Sequence, residues 1–131
     1  MKTGIYVVLL PTCAKPIFLR KGTGGKFKGL EPNYSLKYVE QNWVKGARVL
    51  YVGKAAGRKG LRDRINSLVK FGLGRPVSHR GGRLLWQLKD NKKFLIRWRA
   101  CPAASAHSLE KKMIRKFKDG HDELPFANLT D

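Results

Sequence analysis

Two short apolar runs constrain this chain more than any other feature. Gly4 to Leu10 and Arg48 to Gly53 each carry a continuous, β-branched apolar stretch. An unbroken run of that length, in contrast to an alternating one, suits a strand buried on both faces. A third segment, Lys93 to Cys101, alternates instead: Phe94, Ile96 and Trp98 point one way, Arg97 and Arg99 the other. It predicts a half-exposed strand with a basic outer face. The first run, with Lys2 before it and Cys13 after it, has the outward form of a leader. Its apolar part is shorter than an h-region needs, however, and Pro11-Thr12 lacks the small-residue cleavage pattern, so it reads as a buried strand.

Two helices are readable between and after these strands. Leu61 to Phe71 places Leu61, Ile65, Leu68 and Val69 on one stripe, with Gly72 as the expected stop. Ser105 to Lys118 takes Ser105 as N-cap, Leu109, Met113, Ile114 and Phe117 as its apolar face, and Gly120 just past its end. Gly72 to Arg83 reads as a basic loop. Residues 11–45, glycine-rich and basic, read as a flexible insertion that ends in a short helix from Ser35 to Val44. The order strand, insertion, strand, helix, loop, strand, helix, tail predicts an α/β (α+β) architecture in one domain covering residues 1–131.

Charge decides the class of partner. Twenty-eight Lys and Arg against nine Asp and Glu give a formal charge of +19, a self-repulsion that a folded domain tolerates best beside a polyanion. Nucleic acid is the expected partner. The cations are spread along the chain, with no juxtamembrane block and no single amphipathic helix, so a membrane surface ranks well below it. Cys13 and Cys101 stand far apart without a CxxC, which points away from a disulfide scaffold or zinc site and toward a reducing, cytoplasmic setting.

The stretch Val49 to Gly57 (VLYVGKAAG) invites comparison with a phosphate-cradling loop. A Walker loop needs GxxxxGK followed by Ser or Thr, but Ala55 follows Lys54 and Gly46 lies too far upstream. Gly22 to Gly29 fails as well, because Phe27 follows Lys26. No nucleotide cofactor is expected. A sharper signal lies in the second helix, where Glu110 falls inside the apolar arc while Lys111, Lys112, Arg115, Lys116 and Lys118 occupy the opposite half. A carboxylate turned toward the body of the protein must be paired, hydrogen-bonded or bound to a metal. A salt bridge and a magnesium ion shared with substrate phosphates both satisfy that demand.

Gly4-Ile5-Tyr6, Tyr51-Val52-Gly53, Leu61-Arg62-Asp63-Arg64-Ile65, Glu110 and Asn128, in this order, resemble the GIY-YIG nuclease superfamily. The resemblance implies a small three-stranded antiparallel sheet flanked by helices, with the active site on one sheet face. It also implies hydrolysis of DNA phosphodiester bonds with a divalent metal, Mg2+ or Mn2+. Tyr6 and Tyr51 match the signature tyrosines, and Lys54 stands where several members carry Lys. Arg64 is the better match to the helix arginine and Arg62 the runner-up, since both flank the apolar stripe. Glu110 matches the metal-binding glutamate, and Asn128 an asparagine near the domain's end.

In the implied chemistry Glu110 holds the metal on the scissile phosphate, Arg64 and Lys54 add fixed charge, and Tyr51 orients water or phosphate. Tyr6 is the general base, its phenol lowered by Lys54 and Arg64. The sequence departs from the family pattern at Leu68, where many members have His or Tyr, and His79 is a candidate substitute. Gly57 to Gly60 forms an extra turn that lengthens the loop without moving the helix. Arg58, Lys59, Arg62, Arg75, His79, Arg80 and Arg83 are the expected DNA contacts. The competing reading is a non-catalytic, basic nucleic-acid-binding protein of the ribosomal or RNA-associated kind.

Overall fold

A computed structural model describes residues 2–12, 15–25, 33–75 and 82–129. Three strands form one antiparallel sheet: β1 (Gly4–Leu9) in the middle, β2 (Val49–Ala55) and β3 (Leu95–Ala100) on either side. Three helices accompany it, α1 (Leu36–Gln41), α2 (Gly60–Gly72) and α3 (Ala103–His121). This is the expected α+β class with a three-stranded antiparallel sheet flanked by helices.

The two continuous runs became the strands covered on both faces. The register sets Tyr6 opposite Gly53 and Trp98, and Val8 opposite Tyr51 and Ile96. Because direct partners share a face, Tyr6, Tyr51, Gly53, Ile96 and Trp98 lie on one side and Ile5, Val7, Lys54, Arg97 and Arg99 on the other. Leu61, Leu68 and Phe71 of α2 pack with Tyr6, Val8 and Tyr51 in the main core. Helix α3 crosses the opposite side, against β2 and β1.

β2 lies at a sheet edge, yet its outer edge is covered. The Ala127 amide donates to the Leu50 carbonyl at 2.8 Å, and Asn128 bonds both backbone groups of Val52. The other edge is left open on β3, where Arg97 and Arg99 are exposed and discourage pairing with another strand. The expected alternation is present there, but its apolar side is only partly covered: Phe94 and Ile96 pack against the core, whereas Trp98 is 61% exposed.

Several boundaries differ from the sequence expectation for local reasons. Helix α2 does end at Gly72, where a Cβ would strike the Trp86 ring, and the chain turns at Gly74 with φ +87°. Phe71 is buried where Val69 was expected, and Val69 is exposed. Helix α3 begins after Pro102, whose missing N–H is harmless at a helix start, and runs through Gly120 to a left-handed cap at Asp122. Residues 83–93, within and beyond the expected loop, include two short 3-10 turns, Arg83–Gln87 and Asn91–Lys93. Leu84, Leu85, Trp86 and Leu88 of this stretch belong to the core.

Within the 11–45 insertion, Val39 belongs to the core, and Phe18, Tyr34 and Trp43 pack against it. Gln87, almost fully buried, accepts from the Tyr34 amide and donates to the Leu19 and Tyr34 carbonyls, so its whole amide is satisfied. Phe18 and Trp43 add an edge-on ring contact at 5.7 Å, and Trp43 meets Phe126 at 5.3 Å. Among the described residues no helix is long and apolar enough to cross a membrane.

Candidate active site

The site is built at the β2 side of the sheet. Tyr6 projects from the central strand across Gly53, its direct partner, which has no side chain to obstruct the ring. Gly53 therefore makes room for the tyrosine ring. Tyr51 lies on the same face one position along, and the two rings stand 6.1 Å apart and tilted by 51°. Arg64 comes down from α2. It occupies the helical stripe between buried Leu61 and Leu68, three and four residues away. Arg62 is exposed and turns toward the groove beside β3. The structure thus brings Arg64, and not Arg62, to the tyrosines.

Burial governs the electrostatics of the pair. It pushes the Tyr6 phenol well above its ordinary value; the neighbouring Tyr51 adds to that rise and Arg64 opposes it. Lys54 is not among the groups that act on Tyr6. The expected lowering of Tyr6 by two cations is thereby overturned: the cost of burying a phenolate exceeds what Arg64 returns. Burial raises Tyr51 as well, with Glu110 adding to the rise, while Arg64 and the Tyr6 hydroxyl oppose it. The Tyr6 hydroxyl is sealed from solvent beside Tyr51 and Arg64, and makes no well-aligned hydrogen bond among the described residues.

The remaining charged groups approach from the other side of the sheet. Strand alternation sends Lys54 toward α3, where its Nζ stands 3.8 Å from Glu110 Oε1 and also meets His107 Nδ1. The resemblance implies a site on one face; here the candidates divide between two faces and meet at the margin of β2, close enough for Glu110 to act on Tyr51. His107 was not anticipated. Its signal was present, since a residue three positions before Glu110 shares that side of the helix.

Glu110 meets the requirements of a magnesium ligand of one kind. The side chain is 19% exposed and its ion pair with Lys54 is loose at 3.8 Å. Among the described residues no group of three acidic, His or Cys side chains forms a protein-only metal cage. Mg2+ binds readily without one, keeping water and taking substrate phosphates around one or two carboxylates. The donor set fits that arrangement.

Asn128 has a different place from the catalytic one expected of it. Its Oδ1 accepts from the Val52 amide at 2.8 Å and its Nδ2 donates to the Val52 carbonyl at 2.9 Å. The amide is fully engaged with the backbone of β2 and positions the strand that carries Tyr51. Among the expected DNA contacts, Arg58, Lys59, Arg62 and Arg75 are exposed. Arg83 is half-buried, its guanidinium carbon 5.9 Å from the centre of the Phe71 ring. His79 and Arg80 lie outside the described residues. Compared with known protein families, curated proteins and solved structures, the chain finds no match in any of the three.

Proposed function

We propose that the protein is a metal-dependent endonuclease of the GIY-YIG type that hydrolyses DNA phosphodiester bonds. The observation that carries this reading is the meeting of Tyr6 and Tyr51, from two strands, with Arg64 from α2, while Glu110 and Lys54 stand at the same strand margin. A protein that only binds nucleic acid has no use for two buried phenols around an arginine with a carboxylate close by. The +19 charge supplies affinity for the polyanion.

Hydrolysis needs a water in line with the leaving oxygen, a place for its proton, and positive charge on the phosphoryl oxygens as they gain negative charge. Arg64 and Lys54 supply fixed charge. Glu110 would hold the divalent ion, which contributes Lewis-acid charge against the same oxygens when bound. Burial raises the Tyr51 phenol, but Arg64 and the Tyr6 hydroxyl both oppose that rise, which makes it the phenol of the pair better suited to give up a proton. It is the general base, and Tyr6 is the positioning residue behind it. Asn128 fixes β2 and so the direction of Tyr51.

The non-catalytic binder is the second reading, favoured by the complete closure of the Tyr6 hydroxyl. A plasmid-nicking assay with magnesium, comparing wild type with Glu110→Ala, separates the two. Cleavage by wild type and none by the variant is the expected result. Sustained cleavage by the variant removes Glu110 from the site, and no cleavage by wild type on supercoiled, linear or branched DNA favours the binder.

A further inference from the structure

The groove between α2 and β3 has no part in the site described above. Helix α2 packs mainly on β1 and β2, and its outer side borders β3 across a groove. Ile96 and Trp98 form one wall of the resulting groove, Ile65 lies opposite, and Lys2, Lys59 and Arg62 stand along its rim. Its volume is about 600 Å³. Trp98 is the most exposed large apolar side chain among the described residues.

A single exposed apolar residue is ordinary. What separates Trp98 from that case is its company and its position. Three cations and no carboxylate line the groove among the described residues, so the favoured occupant is anionic. The indole offers a flat face in a concave setting, which suits a planar aromatic group better than a lipid surface. Anionic and planar together describe a nucleotide. In the β1–β3 register Trp98 is the direct partner of Tyr6 and shares its face, so the groove opens beside the tyrosine pair.

We propose that this groove is a stacking site for one unpaired base of a DNA strand whose neighbouring phosphates are held by Lys2, Lys59 and Arg62. The inference rests on the nucleic-acid reading given above and narrows its substrate class to DNA with an unstacked base near the cut, as in single-stranded, frayed or branched forms. In an intact duplex each base is covered by its neighbours and has no free face to offer, whereas aromatic platforms in single-strand binders take any base by its π-face. A second copy of this chain is a poorer occupant, because two chains that each carry a formal charge of +19 repel one another.

The test is fluorescence anisotropy with a labelled single-stranded oligodeoxynucleotide and the same sequence as a blunt duplex, in EDTA so that nothing is cut. Trp98→Ala is expected to weaken single-strand binding about tenfold and duplex binding by less than about twofold, with Trp98→Phe recovering most of the loss. Circular dichroism confirms that the exposed substitution keeps the fold. Equal losses on both DNA forms, no loss on the single strand, or a Trp98-dependent dimer in sedimentation would overturn the stacking site while leaving the nuclease reading to the nicking assay. Wild-type protein that binds neither form would overturn both.

Discussion

The phenol of Tyr6 lies across the backbone of Gly53: a Cβ built on that glycine would stand 2.6 Å from the Tyr6 hydroxyl oxygen. The two residues are direct partners in the β1–β2 register, so the smallest residue of the sheet faces one of its largest buried side chains. Gly53→Ala should destabilise the protein by about 1–3 kcal/mol through overpacking. Combined with Tyr6→Leu it should cost less than the two single changes added together, since the clash is then gone. Urea denaturation of the four proteins measures this coupling.

Tyr6→Phe is expected to be tolerated at neutral pH, because the hydroxyl is buried without a well-aligned partner. In alkali the two proteins should diverge. The folded Tyr6 phenol keeps its proton above pH 10.0, near which an unfolded one loses it. Its contribution is therefore complete below about pH 10 and is lost as pH rises beyond that, at about 1.4 kcal/mol per pH unit. Denaturation curves for wild type and Tyr6→Phe collected from neutral to alkaline pH should show the wild type falling more steeply.

If Tyr51 is the base, its raised phenol makes cleavage faster as pH rises through and beyond neutrality. Single-turnover rates of the wild type should climb with pH, and Tyr51→Phe should lose the slope along with the activity. Tyr6→Phe, acting one step removed, should keep the slope at a lower rate.

Arg64→Ala should lower the cleavage rate about a hundredfold or more with a small change in DNA affinity, as expected for charge placed on the reacting phosphate. Arg62→Ala should do the reverse. It should weaken binding across sequences and reduce the slope of log K against log salt by about one, leaving the single-turnover rate near that of wild type. Single-turnover cleavage and anisotropy titrations over a salt series distinguish them.

Asn128→Ala leaves the Val52 amide and carbonyl without their partners at the covered edge of β2. The expected cost is about 1–3 kcal/mol for each backbone group left bare. Asn128→Asp keeps the acceptor and sets a carboxylate against the Val52 carbonyl, so it should also destabilise at neutral pH. Thermal denaturation of both variants gives the comparison.

The strands were legible because their signals are local. The continuous runs from Gly4 to Leu10 and Arg48 to Gly53, and the alternation from Lys93 to Cys101, fall on the three strands to within a few residues. The end of α3 was not legible, because glycine permits a stop without compelling one: Gly120 stays helical and the cap falls at Asp122. The segment Leu84 to Leu88 is too short to display either period, although it fills the core. Gln87 ties Leu19 and Tyr34 to that segment through contacts separated by 68 and 53 residues, which no local pattern announces. At the site, Tyr51 and Glu110 were readable as types. The choice of Arg64 over Arg62 needed the depth of the Leu61–Leu68 stripe, and the closure of Tyr6 needed the packed sheet.

The Asn128 bonds to Val52 span 76 residues, and Thr3 Oγ1 donates to the Cys101 carbonyl across 98. During synthesis β2 emerges long before the residues that cover its edge, and β1 waits as long for β3. The margin that carries Tyr51 and Lys54 stays open until nearly the whole described chain has left the ribosome. Folding of this kind is slow, because distant closures must be made before their contacts repay them. A chain with so much positive charge, made beside RNA, thus completes the strand margin that carries Tyr51 and Lys54 only at the last stage of its own assembly.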